Sequence, residues 1–240
     1  MFGTYHWIAL ALFGAFVALE LAARAQPWPQ ICGWRLKGVV FTLLYFLVAT
    51  FAPLLWDEWL GRYQLLDGSA LPFLAQVAVG FLLLELGIYW WHRTMHTTTP
   101  LWRWFHQMHH SAERLDIWGA FYFHPLDMIG WALLASLALV LGVGLSGEAV
   151  LVVNVLATFC SMFQHMNVRT PRWLGYLVQR PESHSLHHKR GHHANNYGDL
   201  PLFDMLFGTF ANPREFEREL GFHDGASHRI GPMLIGRDIA

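Results

Sequence analysis

Histidine is the residue out of proportion in this chain of 240 residues: 15 are present, against 16 Lys and Arg together. Residues 92–110 read HRTMHTTTPLWRWFHQMHH and hold His92 and His96 four apart, then His106, His109 and His110. A second set, His184, His187 and His188, repeats the H-x-x-H-H pattern far downstream. On a helix, positions i, i+3 and i+4 lie on one face, so each set holds imidazoles in place before a metal arrives. Together these histidines predict one shared multi-histidine metal site. Eight ligands exceed the four that a tetrahedral zinc takes, and they suit two metals. Imidazole-rich sites serve Fe, Zn, Cu and Ni alike, so the residues alone leave the metal open. Arg93 follows His92, so the H-E-x-x-H motif of zinc proteases is absent. The two cysteines, Cys32 and Cys160, form no C-x-x-C and read as packed or lipid-facing thiols.

The elements that position these histidines are apolar. Hydrophobic residues make up 54% of the chain and charged residues 14%, where a soluble domain carries about 25% charged residues. Mean hydropathy is +0.30. These values predict an integral membrane protein. The net charge of −1 gives no basic face for nucleic acid. Apolar spans are expected at residues 4–22, 38–56 and 70–91, each close to the ~20 residues a crossing needs. The first has no basic residue before Arg24, which argues for a retained helix over a cleaved signal peptide. Two further segments, 128–144 and 148–164, are joined by the short link Gly144–Gly147, with Ser146 within it, and predict a helical hairpin. Arg24, Arg35 and Lys37 in one loop against Arg62 in the next place the histidines on the cytoplasmic side by the positive-inside rule. Thr99 as N-cap and Pro100 in the first turn predict a new helix running through His110. The expected fold class is therefore all-α: an integral membrane helical bundle of three spans plus a hairpin, with a cytoplasmic histidine-rich helical cap. The expected organisation is N-terminal transmembrane helices over 1–69, a catalytic domain over 70–212 and a C-terminal tail over 213–240.

HRTMH, HQMHH and HSLHH resemble the three histidine boxes of the fatty acid hydroxylase / sterol desaturase superfamily. Asn196-Tyr197-Gly198, Asp204 and Phe207-Gly208-Thr209 resemble the signature that follows them, with Phe203 where that family usually has Trp. The resemblance covers roughly residues 75–212. It implies a membrane-bound non-haem di-iron enzyme that uses O2 to hydroxylate or desaturate a lipid chain or sterol. Iron, two ions of it, comes from the resemblance and not from spacing. His165 and His124 lie in contexts like those in which further histidines complete the family's metal shell, and are added as candidate ligands.

A histidine ligand needs its other ring N–H satisfied. Glu85 is the one acid deep in an apolar segment and shares a face with Tyr89, His92 and His96; Asp204, with Asp127 and Asp199, is a similar candidate acceptor. Glu85 lies ~10 Å along the axis from His92, so it is expected to orient a histidine of another set. His192 and His193 are read as outer-layer or surface residues, and His6, His223 and His228 as having no part in the site. No cytochrome b5-like or ferredoxin-like segment is present, so electrons must come from a separate donor. The lipid substrate is expected to enter from the bilayer. Three rival readings remain: a desaturase on the same scaffold; a metal transporter or sensor, which would want its histidines within the spans rather than outside them; and a catalytically dead scaffold, against which all eight box histidines are intact.

Overall fold

A chain crossing hydrocarbon must satisfy every backbone N–H and C=O within itself, and a helix does so segment by segment. The computed structural model describes residues 3–192 and 194–240 and contains no β-strand among them. α1 (Thr4–Ala22) and α2 (Trp34–Phe51) come first, followed by the short α3 (Asp57–Gly61). α4 (Phe73–Thr97) has 25 residues. α5 (Thr99–Leu101), a π-helical turn over Trp102–His106 and α6 (Gln107–His110) then follow one another without a break. α7 (Pro125–Ser136) passes into a second π-helical turn, Leu137–Gly142, and α8 (Gly147–His165) returns. α9 (Pro181–His187), α10 (Pro201–Leu206) and α11 (Ile230–Leu234) are short.

Among the described residues, five helical segments are long and apolar enough to cross a membrane: α1, α2 with the turn after it, α4, α7 with its π-helical turn, and α8. They coincide with the five apolar spans read from the sequence, α2 starting earlier than expected, at Trp34. The helix after the TTTP break is capped one residue earlier than expected, at Thr98, with Thr99 and Pro100 in its first turn. From Phe73 to His92 α4 rises ~28 Å, close to the ~30 Å hydrocarbon core. Its last turns therefore carry His92 and His96 out to the membrane surface. The outer faces of the spans expose large apolar side chains such as Leu43, Leu47, Val79 and Leu82, as a lipid-facing surface does.

The spans form a ring. α4 packs on α8, α8 on α1, α2 on α7, and α7 on α4. α1 and α2 close the ring through side chains: His6 Nε2 lies 2.6 Å from Thr50 Oγ1, and Tyr5 meets the Phe46 ring edge-on at 6.1 Å. The short helices and loops cap the histidine end. The cap is fastened to the spans by buried polar contacts. Glu20, near the end of α1, accepts from the backbone N–H of Ile117 (2.9 Å) and of Asn167 (3.0 Å). Gly38 lets α2 lie against the turn at Ile117–Gly119, where a Cβ would fall 2.6 Å from the Trp118 carbonyl oxygen.

Residues 213–240 fold over the cap. Met233 and Ile239 are buried with Trp34 and Met108, Gln107 Nε2 donates to the Arg237 carbonyl, and Arg103 pairs with Asp238. The N-terminal spans, the family-like segment and this tail thus share packed contacts.

Replacing Glu20 with Ala leaves two buried N–H donors without an acceptor, at ~1–3 kcal/mol each. Thermal unfolding in detergent should therefore show Glu20→Ala less stable by about 2–6 kcal/mol. An unchanged midpoint would remove this fastening from the account.

Candidate metal centre

The histidines gather into two adjacent groups. His92, His96, His106, His110 and His187 form one; His109, His165, His184 and His188 form the other; within each, the candidate ligand atoms all lie within 4.8 Å of one another. Eight of these nine rings are buried and His96 is half-buried. The groups touch: the His110 and His188 rings stack at 4.0 Å and 9°.

Each H-x-x-H-H box serves both groups. His106 and His110 face the first group and His109 the second; His184 and His188 face the second and His187 the first. At ~100° per residue, i and i+4 diverge by ~40° while i+3 turns ~100° away from i+4. A box therefore delivers its i, i+4 pair to one centre and its i+3 ring to the other. The two boxes do so reciprocally. His92 and His96, at i and i+4, both go to the first group, and His165 at the end of α8 completes the second.

The ring orientations carry the chemical argument. His92 Nδ1 donates to the Tyr197 carbonyl (2.7 Å), His187 Nδ1 to the Asn195 carbonyl (2.8 Å) and His165 Nδ1 to the Ser161 carbonyl (2.6 Å). His106 Nδ1 donates to Asp127 Oδ2 (2.8 Å). In a neutral imidazole whose Nδ1 carries the proton, Nε2 presents a lone pair. Yet His92 Nε2 lies 2.9 Å from His106 Nε2 and 3.0 Å from His187 Nε2. Three lone pairs converging at that distance repel unless a cation sits among them. In the second group His165 Nε2 lies 3.0 Å from His109 Nε2 and 3.1 Å from His184 Nε2. His110 Nε2 is buried with no hydrogen-bond partner. This donor set fits metal ions and fits poorly as a hydrogen-bonded histidine cluster.

Burial, then neighbouring histidines, hold His106, His109, His110, His184, His187 and His188 well below the ordinary imidazole range. Below physiological pH these rings stay neutral, the form that binds metal.

The remaining candidates fall into place differently. His165 joins the second group. His124 does not join either one. It caps α7, its Nδ1 accepting from the Leu126 N–H (3.1 Å), and its Nε2 lies 3.5 Å from the Leu234 carbonyl oxygen. A histidine preceding a proline at a helix start is a capping position, and that local role overrides the resemblance. Glu85 is fully buried but meets the backbone: its Oε2 accepts from the Leu200 N–H (2.9 Å). It fastens the 197–200 loop to α4, in place of the imidazole contact expected of it. Asp204 acts on the same loop, accepting from the N–H groups of Tyr197 and Gly198 (2.8 Å each) and from Thr209 Oγ1 (2.6 Å). It reaches His92 only through the Tyr197 carbonyl that it helps to fix. Asp127 is the carboxylate that touches a ring directly. Asp199 accepts from Gln164 Nε2 (2.7 Å), and burial pushes its carboxyl above the ordinary carboxylate range. His192 approaches Asn195 Oδ1 at 3.2 Å, and His193 lies outside the described residues.

The carbonyls of Tyr197, Asn195 and Ser161 were not legible as site residues, because a carbonyl acceptor has no side-chain signature. One local signal exists: Asn195 and Asn196 take left-handed backbone angles, φ 67° and 57°, a conformation to which Asn is unusually well suited. That turn aims the Asn195 and Tyr197 carbonyls at two histidine rings.

Beneath the histidines a cavity of about 420 Å³ extends between the spans, with His92, His106, His109, His165 and His184 at one end and apolar walls beyond. Fold and site together define an integral membrane protein with twin polyhistidine groups suited to metal binding above an apolar cavity. The family model for fatty acid hydroxylase matches residues 77–209, more than half the chain, and the protein belongs to that family. Among curated relatives, the ornithine lipid hydroxylase OlsE of Rhizobium tropici is 34% identical over 59% of this chain and 44% of its own length. The Delta(7)-sterol-C5(6)-desaturase of Nicotiana tabacum is 28% identical over 82% of this chain and 67% of its own. The human alkylglycerol monooxygenase is 31% identical over 56% of this chain and 30% of its own. The match thus spans less than half of the Rhizobium and human proteins. No solved structure gives a significant match.

Removing the acceptor that orients a ligand ring typically costs ~10–100-fold in metal affinity. Asp127→Ala should weaken metal binding by a factor in that range, measured by competition with a chelator, whereas His124→Ala should bind as the unaltered protein does. Equal losses in the two variants would return His124 to the ligand set.

Proposed function

We propose that this chain is an O2-dependent lipid oxygenase whose nine clustered histidines hold two iron ions. The observation that carries the reading is the juxtaposition of two groups of clustered imidazoles with the end of an apolar cavity. Iron is favoured over zinc by membership in the family. Bound there, the irons supply the power to activate O2 against an unactivated C–H bond. Hydroxylation places one oxygen atom in the product and the other in water, and requires two electrons and two protons from outside the substrate.

The chain's own residues do the rest. Asp127 and the carbonyls of Tyr197, Asn195 and Ser161 fix four rings in the tautomer that presents Nε2. Asp204, Asn196 and Glu85 hold the loop that carries two of those carbonyls. Trp131 and Phe123 cover the histidine end of the cavity, the Trp131 ring 6.0 Å from His92 and the Phe123 ring 4.5 Å from His109. They exclude water and leave an apolar surface for the reacting chain. The relatives' names support a lipid substrate, and the cavity's apolar walls agree. The electron donor is a separate protein, ferredoxin- or cytochrome b5-like in kind. The histidine face is read as cytoplasmic: of 16 Lys and Arg, only Arg62 lies in the loop at the opposite end, the asymmetry that the positive-inside rule describes. Residues 70–212 are the catalytic segment, 1–69 supply two of the spans and 213–240 close the cap.

The match to a sterol desaturase gives a second reading, in which the same centre removes two hydrogens and adds no oxygen. Mass analysis of the lipid product separates the two by the gain of an oxygen or the loss of two hydrogens.

Purified protein from iron-replete cells should carry about two irons per chain, the number its two histidine groups accommodate. His187→Ala should lower the iron content and abolish lipid-dependent O2 consumption. Zinc in place of iron, or full iron with no O2 consumption on any membrane lipid, would overturn the oxygenase reading.

A further inference from the structure

The cavity reaches much deeper than the metal centre. Along α8 its wall runs from His165 to Val150, a rise of ~22 Å. One leaflet offers only ~15 Å of hydrocarbon, half of the ~30 Å core, so the cavity passes the bilayer midplane. Small residues line it below the histidine end. On α2, α7 and α8 a wall residue at the histidine end is followed one turn deeper by an alanine: Tyr45 by Ala49, Trp131 by Ala135, Ser161 by Ala157. Tyr45 stacks on Phe121 at 4.4 Å, and the Ser161 carbonyl accepts from His165. These contacts fix the upper positions, and the alanines leave the passage below them.

Polar side chains on the wall are largely spent on one another. Tyr5 Oη lies 3.0 Å from Thr158 Oγ1, His6 Nε2 lies 2.6 Å from Thr50 Oγ1, and Asn154 Nδ2 donates to the Val150 carbonyl at 3.0 Å. Leu139, Val150 and Leu151 line the deep end, with Asp57 at its floor as the exception. A long, narrow, mainly apolar space suits a single extended hydrocarbon chain better than a broad ring system.

We propose that the cavity holds one extended alkyl chain, its methyl end beyond Ala49, Ala135 and Ala157, and that these three alanines set the length of chain the protein accepts. The chain enters sideways between α1 and α2, the side of the ring closed by side chains alone. Only the placement of the oxidised carbon at the histidines rests on the oxygenase reading; occupancy of the cavity does not.

The test is photo-crosslinking of the full chain in phosphatidylcholine vesicles, with palmitate and decanoate probes that carry a diazirine at the methyl end. Peptide mapping should find the palmitate label at Leu139, Val150 or Leu151, and the decanoate label nearer the histidines. Ala157→Phe and Ala135→Phe should each lower the deep palmitate label at least tenfold and leave the decanoate label unchanged. Iron content is measured on the same samples. A palmitate label confined to outward residues such as Leu43 and Leu47, or a deep label that persists in both variants, overturns the proposal. Labelling as expected in a protein that never oxidises lipid would refute the oxygenase reading and leave the chain-length role standing.

Discussion

Nine imidazoles packed against one another, eight of them buried, are the constraint on which the rest of this structure depends. Burial prevents them from taking up protons, because a buried imidazolium pays for its desolvation. Fixed acceptors on the outer nitrogens of four rings prevent them from hydrogen-bonding inward. In the first group three lone pairs then face one another at about 3 Å. Positive charge in their midst makes that arrangement favourable, so a metal bound there would also stabilise the fold.

Much of the cap can be understood as the means of holding those rings. The loop at 195–200 carries carbonyls for His187 and His92, and it is fastened from three directions. Glu85 reaches it from within the membrane, Asp204 from α10, and Asn196 ties it to α9 through the Ser183 carbonyl. Glu20 performs the same service for the far side of the cap, joining α1 to the Ile117 and Asn167 backbone. Buried carboxylates here mostly accept from backbone N–H groups. Asp127, bonded to His106, is the one that orients an imidazole directly.

The membrane contributes a second constraint. α4 is long enough that one helix lies in hydrocarbon for most of its length and still delivers two histidines to the surface. The ring of spans leaves a mainly apolar space that ends at the histidine groups. α1 and α2 meet through side chains, among them the His6–Thr50 contact and the Tyr5 and Phe46 rings.

The amino-acid sequence by itself determined a good deal. Apolar run length specified the five spans, because only a helix satisfies the backbone in hydrocarbon. The box histidines were legible because three and four residue spacings on a helix put side chains within reach of one ion. His165 was legible only by analogy of context, and His124, with a similar context, proved to be a helix cap. Only the tertiary structure decided which centre each histidine joins. The splitting of each box follows from helical rotation, but its reciprocity depends on α6 and α9 facing one another, and no local spacing encodes that. Nor could the sequence reveal that Glu85 would meet a backbone N–H, or that three main-chain carbonyls would orient the rings. Such partners are selected by where distant segments come to rest, and every residue carries the same carbonyl.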